Sequence, residues 1–230
     1  MKYRKIVTVL IILLILCFGF YQYMDKQHYV RYMSHQLSGA VSGMSSALYN
    51  NQIMYEEILD SRSITLEQMD MILSYNGSFG VKVRELKMIA VNFFERASDE
   101  ELNSITAFTA SDIKSFFYEI QWDIVYEEKL DNLSDLTTIL SKNERIKLNE
   151  DELEHIHTIQ ALNSLWREAL INNINGINPD TGTVNTDLFF DIYREKGFIK
   201  DDWINLLIDF DSITTEFLEE HEKFEAKITK

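Results

Sequence analysis

Proline and glycine are scarce, with one proline and eight glycines in 230 residues. Sheets joined by tight turns consume both residue types, whereas long helices exclude them, so the composition predicts an all-α fold. Cysteine is nearly absent. The only one, Cys17, falls inside an apolar run, so no intrachain disulfide can staple the rest of the chain, and Cys17 reads as an apolar packing residue. Basic charge is also short. Setting aside Lys2, Arg4 and Lys5 leaves 19 of the 22 basic residues against all 37 acidic ones, a balance of −18. Such a surface argues against nucleic acid, whose phosphates require a basic face, and against lying flat on anionic lipid. The plain reading of this charge is a solvated surface; basic partners or divalent cations are the alternative.

Catalytic signatures are missing as well. The sequence holds no Gly-x-Ser-x-Gly, phosphate-binding loop or dinucleotide fingerprint. No cofactor is expected. Two overlapping Glu-x-x-His pairs, Glu152/His155 and Glu154/His157, share one helix, whereas a di-iron bundle needs the motif on two, so they read as an ordinary solvated helix start. His221-Glu222 begins like a zinc-protease helix, but Glu225 stands where the second histidine belongs, and the histidine reads as exposed, opposite Phe217 and Phe224. The turn-rich stretch from Ile177 to Asn185 offers no calcium-loop register and reads as a tight turn, with Ile177 and Val184 able to form a small ribbon.

What is present begins with Ile6 to Met24, IVTVLIILLILCFGFYQYM, an uncharged apolar run after three basic residues. As a helix it covers roughly 28 Å, close to the ~30 Å hydrocarbon core of a bilayer. The run exceeds a signal-peptide core, shows no small-x-small cleavage site, and ends in Tyr21 and Tyr23, which suit an interface. We therefore expect one uncleaved span. The basic bias before it predicts a cytoplasmic N-terminus and an extracytoplasmic domain. Residues 1–24 form the basic tip and anchor, and residues 25–230 one acidic helical domain.

Beyond the span, apolar and small residues recur at alternating steps of three and four: Val30, Met33, Leu37, Ala40, Met44, Ala47, Asn51, Met54 and Ile58. This seam predicts that the membrane helix continues outward as one rod. It serves either the chain's own bundle, the simpler reading, or a protein partner or second copy through residues 30–58. Small residues beside it, among them Ser38, Gly39, Ser42, Gly43, Ser45 and Ser46, permit close approach of another helix. His28 and His35 lie on a face away from the seam and read as solvated.

Capping boxes at Thr65/Gln68, Ser98/Glu101 and Asn149/Glu152 predict three further helix starts, and Asp201 a fourth cap. A kink or short loop is expected around Asn76, Gly77 and Gly80, with the stripe resuming from Val83 to Ala97. The next helix carries Leu102 through Ile124, and Leu130, Leu133, Leu136 and Leu140 either extend it or form a separate turn. Trp203, Phe210, Phe217 and Phe224, seven apart, should close the core. The expected architecture is an N-terminal transmembrane helix continuing into an antiparallel bundle of about five to six helices. Its arrangement resembles that of bacterial sensor domains, without carrying any residue across. We expect a single-pass interaction or scaffold protein, an accessory subunit of a cell-envelope complex; the alternatives are a ligand-sensing domain and an enzyme whose site the sequence hides.

Overall fold

The computed structural model describes residues 2–127, 144–184 and 186–221. Among these described residues there are six α-helices: α1 Lys2–Ser61, α2 Leu66–Met88, α3 Ile105–Glu127, α4 Glu150–Asn173, α5 Thr186–Tyr193 and α6 Asp202–Glu220. Two three-residue strands, β1 Ser63–Thr65 and β2 Arg145–Lys147, pair antiparallel. Leu130, Leu133, Leu136, Leu140, Glu222, Phe224 and Glu225 lie outside the described residues.

The 60 residues of α1 run unbroken, about 90 Å at 1.5 Å per residue. Its first part is the one helix among the described residues that is long and apolar enough to cross a membrane, and none of that window is covered by protein. Leu14, Ile15 and Phe18 are each about two-thirds exposed. Membrane association is the consequence, since such a surface is stable in hydrocarbon and not in water.

From Ser34 onward one face of α1 enters the core. Leu37, Met44, Ala47, Asn51, Met54 and Ile58 of the seam are buried within the chain's own fold, whereas Val30, Met33 and Ala40 are half-buried. That face is covered by α2 on one side and α4 on the other. At Arg62 the backbone turns left-handed (φ 51°), and β1 leads into α2. Thr65 and Gln68 form the expected capping box there, and Asn149 and Glu152 form theirs on α4.

α2 stays helical through Asn76, Gly77 and Gly80, so the short loop that was one expectation there does not form. The glycines serve a helix crossing: a Cβ on Gly80 would sit 3.2 Å from the Ala107 carbonyl oxygen of α3 and 3.3 Å from the Ala110 methyl. Asn76 is held inside the helix by its amide, which donates to the Ile72 carbonyl and to the Tyr55 hydroxyl, both at 3.0 Å.

Ser98 and Glu101 do make a reciprocal box, Glu101 N–H to Ser98 Oγ at 3.2 Å and Ser98 N–H to Glu101 Oε2 at 2.8 Å. It closes only a turn. The helix waits until Ile105, after Ser104 adopts φ 69°, so Leu102 packs from the linker. The helix then receives its cap from far away: Asp211 of α6 accepts from Ser104 N–H at 2.9 Å and from Thr106 N–H at 3.1 Å.

The helices form a ring in the order α1, α2, α3, α6, α4, closing on α1. Contacts such as Gln121 with Asp70, Asn163 with Leu48 and Asn173 with Asp209 make successive neighbours antiparallel. Five members cannot alternate completely, and α3 and α6 are left running in the same sense. In the centre, Phe79 meets Trp166 at 5.0 Å and Phe210 at 5.5 Å between ring centroids. Trp203, Phe210 and Phe217 all face this core. The histidine at 221 is not opposite Phe217 but stacked on it at 4.1 Å, since residues four apart share one helical face, and its Nδ1 lies at the Phe217 carbonyl.

A larger side chain in the buried seam tests this packing. Ala47→Leu should lower the stability of the monomeric, detergent-solubilised chain by about 1 to 3 kcal/mol, and Ala40→Leu by less. Thermal melting followed by circular dichroism reads the difference.

Candidate functional site

The most elaborate local structure lies at the span-proximal end of the ring, where α2 descends beside α1. α2 widens there into a π-helical turn, Ile89–Phe93, and Glu95 takes a left-handed conformation (φ 49°). A non-glycine residue in that region costs of order 1 kcal/mol and persists only where its surroundings over-determine it. Here the flanking residues do so.

Phe94, before the left-handed residue, joins a ladder of rings from α1 into the core. Tyr29 meets Phe94 at 6.0 Å, Phe94 meets Phe198 at 4.4 Å, and Phe198 meets Trp203 at 5.4 Å. Arg96, after it, reaches across to the 3-10 turn Gly197–Ile199 and the start of α6. Its guanidinium donates to the Phe198 carbonyl at 2.5 Å and the Lys200 carbonyl at 2.8 Å, pairs with Asp201, and lies over the Trp203 ring at 5.5 Å. Asp201 was expected to cap α6; its carboxylate is occupied by Arg96 and makes no side-chain cap.

The third support is Ser34 of α1, whose hydroxyl accepts from Phe198 N–H at 3.0 Å. The fourth is Tyr193. Its hydroxyl donates to Asp202 at 2.7 Å and accepts from Asn175 N–H at 3.2 Å; burial first, and Asp202 second, push its pKa up to about 12. Among the described residues at this end, no buried side-chain nitrogen or oxygen is without a hydrogen-bond partner. Large side chains left in solvent here include Phe93, 70% exposed, and Ile199, 58% exposed, with Tyr32 of α1 exposed as well.

The other candidates are structural. Asp211, Ser212, Glu216, Glu219, Glu101 and Asn103 line a shallow cleft of about 340 Å³ between α6 and the linker before α3. Asp211 already serves α3 there, through two backbone N–H groups. The hydroxyl of Thr214 donates to the Phe210 carbonyl and receives the Trp166 indole N–H at 2.8 Å. His155 stacks on Phe116 at 5.7 Å with its Nδ1 at the Asp151 carbonyl. Among the described residues no three His, Cys, Asp or Glu gather as a metal site. The stretch from Ile177 to Val184 is a tight turn closed by a single bridge between those two residues, and it packs Gly182 (φ 60°) against Tyr49.

No family model, curated protein or solved structure matches this chain. The site therefore rests on its own geometry.

The sequence-derived seam and this site share only α1. Asn51 is fully buried on the core face of α1, its amide without a protein hydrogen-bond partner. Phe94, Arg96 and Phe198 carried no signal of their own, because each acts through residues about a hundred positions away. Only Phe93, in the helical stripe that resumes at Val83, hinted at the position.

Removing the clamp should loosen the end of the ring. Arg96→Ala is expected to destabilise by about 2 to 4 kcal/mol, since charge-assisted hydrogen bonds contribute about 1.5 to 3 kcal/mol each and do not add fully. Arg96→Lys should rescue little, because a point ammonium cannot bridge two carbonyls and a carboxylate. Hydrogen exchange of the amides from 94 to 104 should accelerate in both variants.

Proposed function

We propose that this chain is a single-pass, membrane-anchored helical interaction protein, an accessory subunit of a cell-envelope complex. The observation that carries the reading is the continuity of α1. One helix holds the apolar span and the central face of the ring, with the aromatic ladder and Ser34 fastening the ring to it just beyond the span. A linker would let the domain wander, whereas this helix holds it at a set height over the bilayer. Such a mount suits a protein whose work is contact.

The end of the ring far from the span offers a surface for that contact. Tyr118, Trp122 and Tyr126 of α3 follow one another at helical spacing and are 39%, 50% and 85% exposed. Aromatic side chains of this kind dominate the binding energy of protein interfaces. In this reading the N-terminus is cytoplasmic and the domain extracytoplasmic, and the seam of α1 serves the chain's own ring.

Photo-crosslinking residues at Trp122 and Tyr126, in intact membranes, should capture the same envelope protein, with none captured from Glu168 on α4. Capture from all three positions alike, or from none, would defeat the assignment of this face. Protease added to intact spheroplasts should digest the domain, and protection until lysis would reverse the orientation.

A further inference from the structure

The span-proximal face carries exposed apolar side chains and stands at a defined distance from the end of the span. Tyr29, the first residue of α1 to touch the rest of the fold, stands five positions after Met24, and Ser34 stands ten. At 1.5 Å per residue these lie about 7.5 Å and 15 Å beyond the end of the span. The headgroup layer is itself about 5 to 8 Å deep on each side of the hydrocarbon. The underside of the ring therefore begins where the headgroups end, and an ordinary helix tilt of about 20° lowers one side into them.

The residues at this underside fit such a layer. Phe93 ends the helix that descends toward the span and is 70% exposed, although its neighbour Phe94 is held in the ladder. Ile199, beside Phe198 on the facing turn, is 58% exposed. This end carries charges of both signs: Glu95 and Lys200 stand close in sequence to Phe93 and Ile199, Arg31 of α1 pairs with Glu195 at 3.3 Å, Lys200 lies over the Tyr193 ring, and Asp25 and Lys26 follow the span on α1. Mixed charge suits zwitterionic headgroups, which present a phosphate and an ammonium, better than an anionic surface.

We propose that Phe93 and Ile199 form a bilayer-docking face that rests in the zwitterionic headgroup layer of the membrane that α1 crosses. The inference depends on Ile6 to Met24 being a membrane span. Docking gives the ring a second point of attachment and fixes its rotation about α1, which a single helix leaves free.

The test uses the full chain with Cys17→Ser, reconstituted in phosphatidylcholine nanodiscs and spin-labelled at one new cysteine. Phe93→Cys and Ile199→Cys replace exposed side chains, so neither disturbs the core. Leu13→Cys in the span and Tyr126→Cys at the far end are references. Labels at 93 and 199 should collide with a water-soluble nickel chelate several-fold less often than the label at 126, and with oxygen more often. Nickel access at 93 and 199 equal to that at 126, with the label at 13 shielded, would overturn the docking face and leave the span intact. Nickel access at 13 would overturn the span and the docking face with it. Spin–spin broadening between labels at 93 would place a second copy there and likewise overturn the proposal.

Discussion

A helix satisfies its backbone hydrogen bonds internally, and that property lets a single element pass from hydrocarbon into water without a joint. α1 is continuous in this way across its whole length, and its first part is long and apolar enough to cross a membrane. Side chains alone mark the change of solvent: apolar and exposed through Met24, polar through the next turns, then apolar again on the one face that α2 and α4 cover. Because α1 belongs both to the span and to the ring, every other helix is positioned, directly or through a neighbour, relative to it.

One buried polar joint of the ring lies where the alternation of its helices fails. Alternation around five helices leaves α3 and α6 with the same sense, and there α6 lends Asp211 to the open N-terminus of α3, whose own Ser98 box lies too early to cap it. The carboxylate meets two orphan N–H groups and the positive end of the helix dipole, so a buried charge is accommodated without a cationic partner. Thr106, Thr214 and Trp166 extend the same hydrogen-bonded patch toward the centre. The cleft beside it is thus the outer edge of a structural joint.

At the opposite extreme of the chemistry stands Arg96, a cation that draws a linker onto the start of α6 and holds Glu95 in a left-handed turn. The aromatic ladder beside it reaches α1 at Tyr29. Together they make the span-proximal end rigid while leaving Phe93 and Ile199 outside. The contrast between held and unheld neighbours gives that end its character as a surface.

Several features followed from the sequence alone because their causes lie within one or two helical turns. The helical class came from the lack of proline and glycine, the span from an uncharged apolar run, and the starts of α2 and α4 from Thr65/Gln68 and Asn149/Glu152. Periodicity likewise showed which face of α1 is apolar. It could not show what covers that face, because a stripe is the same whether its partner belongs to this chain or another. Tertiary contact decided the rest. Gly80 proved to be a crossing point, Ser98 failed to start a helix, and Asp201 went to Arg96, each through a partner far away in sequence. A capping box or a glycine states what a backbone can do locally. Which option the chain adopts depends on the neighbours that packing brings to it, and those are properties of the ring.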